Sequence, residues 1–385
     1  MIFKDSRRFS KSRRFYHLQN LLDQREKKNE PTICMIKTLT QNNLIRMLSP
    51  EEIRNKMLGA SVVSPKIISV IHEQRLLQIW VPKKYGGLGF RLKEGLSVLF
   101  DWSKIDGSLG WMLILCSGAN FFSRNLKPNI AAALFANPKN CFGGSGMIGG
   151  TAEKQNDGTL LINGLWHFAT GAPHLSHFTL NATLTENGNP LLDESGSEII
   201  RSFVIPKDQV EIIPNWKSMG MKATGTYSFR VDHAKVSEDY SFVYDEFFTD
   251  DVLDKIPFRI FADLTLLVNY LGMAAHFSEE AIKIRPNLNL NSFNQKIEEE
   301  KGILLNFANE IEVLLNDFEV ISFEKQSEIH SFATDLVENL SHQILEIYFQ
   351  LGLKATHTDS VIYQIFCDYF TATQHANFRR EFGEV

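Results

Sequence analysis

Apolar residues recur every three to four positions from Thr40 to about Phe135, every second position between Cys141 and Val236, and every three to four again after about Phe258. Those periods predict helices, then strands, then helices. In the first part, Ser49-Pro50-Glu51-Glu52 reads as an N-cap, a proline at the first helical position and acids in the first turn, so a helix starts near Pro50. The glycine-rich turn Val81 to Gly89 interrupts the helices, which resume from Leu92 to Lys104. Asp106-Gly107-Ser108 then stops one helix and caps the next, Leu109 to Phe122, which is apolar nearly all round and therefore expected to be buried.

The middle third alternates. Ser176-His177-Phe178-Thr179-Leu180 and Tyr227-Ser228-Phe229-Arg230-Val231 have the strand period, Ile199 to Ile205 is a β-branched run closed by Pro206, and Asp157-Gly158 and Asn187-Gly188 supply turns. Beyond Phe258, three apolar stripes follow: Leu264, Leu267, Val268, Leu271 and Ala275; Leu304, Phe307, Ile311, Leu314 and Phe318; Leu336, Val337, Leu340, Ile344, Ile347 and Leu351. A fourth helix runs from about Ser360 to Phe378. The expected fold is α+β: a basic extension over 1–39, a helical domain over 40–135, a central antiparallel β domain resembling a small barrel over 136–240, and a four-helix bundle over 241–385.

Composition narrows the function classes. With 385 residues the chain suits two or three subdomains, and a formal charge of -5 gives no broad electrostatic case for nucleic acid, although the first 30 residues are locally basic. Those first residues read either as a disordered basic arm or, preferably, as translated upstream sequence with Met35 the natural start, because helical patterning begins only later. They lack the apolar core of a secretory signal. Cys34, Cys116, Cys141 and Cys367 have neither metal-ligand spacing nor the density of a disulfide scaffold, which suggests a reducing cytoplasm, with Cys116 and Cys141 as small apolar residues. No apolar run reaches the ~18 residues that a membrane span needs, so no membrane partner is expected.

Candidate chemistry concentrates between Gly143 and Gly171. A Gly/Ser loop containing Ser145 leads through a hairpin turn at Asn156-Asp157-Gly158 to Trp166, His167, Phe168, Ala169 and Thr170. Such a loop and strand let backbone amides and a flat aromatic approach a ligand, and the same pattern also fits an ordinary hairpin around a buried Trp166. His174 and His177 have no nearby Cys or clustered acids and read as ordinary loop and strand histidines, so no metal site is expected. Glu279-Glu280 reads as a solvated helix face.

The order of these landmarks resembles the acyl-CoA dehydrogenase superfamily from about residue 45 onward. Val81 to Gly89 is similar to its "P..yGGlG" turn, Gly158 to Gly171 to its "G.y.lnG.k.f.sg" strand pair, Trp216 to Thr226 to its "w...GmratgT" segment, and Phe229 to Val236 to the strand that follows. Within the superfamily the chain resembles the flavin-dependent monooxygenase branch, relatives of 4-hydroxyphenylacetate hydroxylase oxygenase components and dibenzothiophene monooxygenase. The pointers are Gly164 to Gly171 ("G.W.faSG"), Gly107-Ser108-Leu109-Gly110-Trp111 ("GS.gW"), and Asp368 with His375 ("RD....H").

The resemblance implies a flavin, reduced FMN or FAD delivered by a separate flavin reductase, a small-molecule substrate and a homotetramer. It places Trp111, Ser145, Trp166, Phe168, Ala169, Thr170 and Lys222 at the cofactor, Asn120 and Tyr270 at the substrate, and His375 at the reacting edge of the flavin as the catalytic residue. Lys222 also fits a solvated strand edge, and His375 an idle histidine at a helix end near Arg379.

An acyl-CoA dehydrogenase needs a carboxylate base within hydrogen-bond reach of the substrate. The family's two usual base positions fall at or beside Ala376 and near Thr265, neither of them acidic. A monooxygenase needs a dry pocket, hydrogen-bond donors and often an imidazole, which His375 could supply. The branch's usual arginines are replaced by Gln364 and Cys367, which cannot hold a phosphate in two-pronged fashion. Two rivals therefore stay open: a dehydrogenase with a displaced base such as Glu381, and a scaffold of the same fold that has lost catalysis.

Overall fold

The computed structural model describes residues 48–317 and 319–378. The basic extension, Met35 as a start, Phe318 in the second helical stripe, Arg379 beside His375, and Glu381 as a displaced base lie outside the described residues. Among the described ones, short helices α1 (Pro50–Met57) and α2 (Pro65–Glu73) precede the longer α3 (Leu92–Ile105) and α4 (Gly107–Phe121), and α5 (Pro128–Phe135) leads into the sheet. As its sequence predicts, α1 starts on a capping box: the Ser49 hydroxyl accepts the Glu52 N–H while the Glu52 carboxylate accepts that of Ser49. Asp106 caps α4 through the N–H of Leu109.

The strands are β1 (Phe142–Lys154), β2 (Thr159–Ala169), β3 (His177–Glu186), β4 (Asn189–Pro190), β5 (Ile200–Pro206), β6 (Glu211–Ile213), β7 (Tyr227–Ser237) and β8 (Ser241–Phe242). They form one sheet in the order β6-β7-β2-β1-β3-β5-β8, with β4 on β3. The expectation of a wholly antiparallel sheet is corrected at its centre, where β1 and β3 run parallel, Phe142 facing His177 and Glu153 facing Thr185. The reason is topological. The hairpin returns β2 toward the start of β1, and residues 170–176 then cross beneath β1 to begin β3 on its other side, pointing the same way.

After the sheet, α6 (Phe258–Ile284), α7 (Asn291–Asn316), α8 (Phe323–Tyr348) and α9 (Val361–Ala372) follow. α6 is the hub: it packs against α3 and α4 as well as α7, α8 and α9. By length and composition it is apolar enough to cross a membrane, which corrects the expectation that no segment qualifies; nearly all of its apolar window is covered by those neighbours. Leu264, Leu267, Val268 and Leu271 are buried as their stripe predicts. Two further expectations are corrected. Glu279 and Glu280 are not a solvated face: Glu279 bonds Arg54 and Lys104, and Glu280 is buried against Lys283 and His276. The last helix stops at Ala372 rather than Phe378, because the Ala372 carbonyl accepts the Tyr270 hydroxyl and the His375 N–H.

Candidate active site

Three pieces of chain meet around α4: the end of β2, the turn 216–226 and the C-terminus of α9; α4 also packs on β1. Gly171, at φ +77°, places its Cα where a side chain would run into Cys116 Sγ at 2.7 Å, and that closeness seats β2 on the helix. Gly220 does the same for the turn: a methyl there would lie 2.1 Å from the Cys367 carbonyl oxygen. The Gly220 N–H donates to Thr371 Oγ1 (3.0 Å) and the Met221 N–H to the Asp368 carboxylate, fixing the turn to α9.

At the centre lies Trp111, 6 % exposed, with Tyr270 edge-on at 6.4 Å and His375 edge-on at 5.4 Å. The outer edge of His375 meets solvent while the surrounding protein, through burial, pushes its imidazole pKa below the ordinary value. Its Nδ1 accepts the Asn377 N–H at 3.3 Å, so the neutral ring carries its proton on Nε2 and presents a donor there.

Thr170, Thr226 and Thr224 form a hydroxyl chain, 3.0 Å and 2.7 Å between successive oxygens, and Thr224 donates to the Met221 carbonyl at 2.7 Å. One proton per hydroxyl fixes the direction: Thr170 gives to Thr226, Thr226 to Thr224. Thr170, only 3 % exposed, can then act toward a ligand only as an acceptor.

At the sheet edge Phe168 stands 61 % exposed at φ +65°, a left-handed conformation that is strained for an aromatic residue. Trp216 approaches it edge-on at 6.5 Å, and Met147, Ile148, Leu165 and Met219 are also exposed apolar residues of β1, β2 and the turn. Lys222 is exposed on the same turn.

The remaining sequence candidates are placed otherwise. Trp166 is 1 % exposed, stacked on Phe229 at 5.5 Å, with its indole N–H given to the Asn181 carbonyl at 2.9 Å; it is the buried tryptophan of the hairpin, with no face left for a cofactor. Ala169 is wholly buried. Ser145, 8 % exposed, accepts the Met147 N–H at 3.3 Å and shapes the glycine loop. Asn120 has no exposure: its amide donates to the Leu77 and Asn140 carbonyls and its oxygen accepts the Phe142 N–H, which ties the helices to β1 and leaves little for a substrate. Tyr270 is equally buried, its hydroxyl given to Ala372 and its pKa pushed well up, by burial first and by Tyr369 second.

Gln364, which stands with Cys367 where the resemblance implies arginines, has a structural task here. The Gln364 oxygen accepts the Gly59 N–H at 2.7 Å, and its amide donates to the Met57 carbonyl and to Asp106. Asp106 and Asp368 are both buried, and burial, then the neighbouring Asp106, pushes the Asp368 carboxyl up to about 8. Neither usual base position holds an acid: Thr265 is buried with its hydroxyl bonded back to Phe261 and Ala262. The sequence reading missed Asp263, a lone carboxylate in the apolar face of α6. It is fully buried and bonded to His330 Nδ1 (3.1 Å) and to the Asn377 amide (2.7 Å). An acid inside the run Phe261 to Val268 was the available signal.

No family model matches the chain. A 226-residue stretch, 58 % of the chain and 56 % of the relative, is 24 % identical to indole-3-acetate monooxygenase of Acinetobacter baumannii. The chain thus spans about half the length of the curated relatives it matches. Among solved structures, the HsaA monooxygenase of M. tuberculosis superposes with a TM-score of 0.76 at 17 % identity over 86 % of this chain and 91 % of that one. XiaF from Streptomyces sp., solved with FADH2 and glycerol, superposes with 0.76 at 15 % identity over 86 % and 89 %. The chain shares its fold with these flavin-dependent monooxygenase structures.

Proposed function

We propose that the chain is the oxygenase component of a two-component flavin monooxygenase, hydroxylating a small aromatic or heterocyclic compound with reduced FMN or FAD and O2. The observation that carries this reading is the pairing of a strained, exposed Phe168 beside Trp216 with a neutral imidazole, His375, over Trp111. Strain at an exposed aromatic is retained where the ring has a ligand to meet.

The residues present fit a flavin. The exposed Phe168 ring would offer an apolar face to the isoalloxazine, with Trp216 standing edge-on beside it, and Lys222 would be a cation for its phosphate. With Gln364 and Cys367 in place of arginines, retention would be weak, as suits a flavin that arrives reduced from a separate reductase and leaves again. When bound, the reduced flavin supplies the activation of oxygen. The chain's own work is to exclude water with Trp111 and Phe168, to orient the substrate against Trp111, and to hold a proton at His375 Nε2. The donor at Nε2 favours managing a proton on oxygen over taking one from a phenol.

The same reading includes a β domain curled toward a barrel, a C-terminal helical bundle, subdomains over 40–135, 136–240 and 241–385, a homotetramer, and a cytoplasmic setting. The thiols of Cys116, Cys141 and Cys367 are free, in keeping with the last. A dehydrogenase is disfavoured because Thr265 and Ala376 supply no base and Asp263 is engaged by His330 and Asn377.

The test is anaerobic titration with reduced FMN and reduced FAD, followed by oxygen and a panel of phenols and indoles with product detection. Hydroxylated product that disappears in His375→Ala supports the reading. Flavin reduction by an acyl-CoA would replace it with the dehydrogenase, and the absence of flavin binding in either redox state would replace it with the scaffold.

A further inference from the structure

α9 ends at Ala372, so His375 sits in the non-helical segment 373–378. Here the segment is tied back to the bundle. Asn377 links both sides: its backbone N–H goes to His375 Nδ1, and its side-chain amide goes to Asp263 Oδ1 on α6 at 2.7 Å. Asp263 in turn receives His330 Nδ1 from α8, 3.2 Å and 3.1 Å from its two oxygens. Phe378, 7 % exposed, packs between Tyr270 and His330, with ring centres 5.7 Å and 6.3 Å away.

A fully buried carboxylate is costly unless it is paired and its remaining lone pairs are satisfied. Asp263 meets that condition only while Asn377 and His330 are both in place. We propose that Asp263, His330 and Asn377 form a clamp that positions His375, holding its ring on Trp111 and keeping its proton on Nε2. The clamp residues act through His375 and are positioning residues. This rests on the oxygenase reading for its catalytic meaning, while the geometric claim stands independently.

The groups facing Asp263 are His330 from α8, Asn377 from the C-terminal segment and Arg259 from its own helix. Releasing the clamp would free the ring's inner edge from the surrounding protein, and its lowered pKa would return upward toward the ordinary value. Mere loss of a nearby negative charge would shift it the other way, down, because an anion favours the imidazolium. The sign therefore separates positioning from through-space electrostatics.

The experiment is an NMR titration of the histidine side chains in the full-length protein, with the His375 signal assigned by its loss in His375→Gln. Asn377→Ala, on the segment after α9, and Asp263→Leu are expected to raise the His375 pKa by ~0.5 unit or more. Asp263→Asn, which keeps the acceptor oxygen, is expected to stay close to wild type. An unchanged or lowered pKa in Asn377→Ala overturns the clamp. In parallel, reduced-flavin affinity in Asn377→Ala should stay within about threefold of wild type while hydroxylated product per flavin oxidised falls at least about fivefold. If no flavin binds even to wild type, the oxygenase reading fails while the titration still decides the clamp. If flavin binds and turns over but the pKa does not move, the clamp alone fails.

Discussion

The carboxyl group of Asp368 on α9 accepts the backbone N–H of Met221 and so ties α9 to the turn that bears Lys222. Asp368 also receives the Ser108 hydroxyl at the start of α4, at 3.3 Å. Burial, then the neighbouring Asp106, pushes its pKa up to about 8, so the folded chain keeps the carboxyl proton to higher pH than an unfolded chain does. An unfolded chain would release that proton near the usual carboxylate value, so stability from this group is present below that value and is lost as pH rises toward about 8. Asp368→Asn keeps the acceptor and the volume without the titration. Melting curves from pH 5 to 8.5 should show the variant gaining on wild type as pH rises; parallel curves would refute a protonated Asp368.

His375 gives the opposite slope. Its pKa is lowered by burial, so the unfolded chain takes up the proton first as pH falls. The stability that it contributes is complete above the ordinary histidine value and is lost below it. A charged ring also cannot accept the Asn377 N–H, so hydroxylation should decline on the acid side in step with the His375 NMR titration. Hydroxylation that keeps wild-type yield and an unaltered pH profile in His375→Gln would remove the residue from the reaction.

Phe168→Gly should relieve the left-handed strain and leave the melting temperature unchanged or slightly higher, since glycine adopts φ +65° freely. Reduced-flavin affinity should fall roughly tenfold or more with the lost ring face. A variant with full flavin affinity would mean that the exposed ring serves another contact.

Trp166 behaves as core. Trp166→Ala should cost about 3–5 kcal/mol in chemical denaturation, because it empties the contact with Phe229 and removes the indole's bond to the Asn181 carbonyl. Trp166→Phe should retain flavin affinity within a few-fold. A selective loss of flavin binding in that variant, with the fold intact, would restore Trp166 to the cofactor site.

Gly220→Ala should separate the turn from α9, since its methyl has only 2.1 Å to the Cys367 carbonyl oxygen and the nearby atoms are backbone. Weaker hydrogen-exchange protection at Met221 and a loss of about 1–3 kcal/mol are expected. Unchanged exchange at Met221 would show that the turn is held from elsewhere.

The order of periods and the local signals determined the layers of this protein. Ser49 and Asp106 capped their helices as read, Asn156-Asp157-Gly158 made its hairpin, and α4 was buried as its apolar surface implied. Each of these depends on neighbours within a few residues, which is the range that a period or a cap reports. The tertiary structure decided what such a range cannot. The crossing of residues 170–176 made β1 and β3 parallel, Trp166 turned into the core and Phe168 out toward solvent, and Glu279 and Glu280 changed from a wet face into partners for cations, Glu279 for Arg54 of α1 and Lys104 of α3, Glu280 for Lys283 of its own helix. Asp263, His330 and Asn377 lie 67 and 114 residues apart from one another along the chain as measured from Asp263. No local pattern joins them; only the burial of α6 among its neighbours makes an unpaired carboxylate there too costly and so brings the three together.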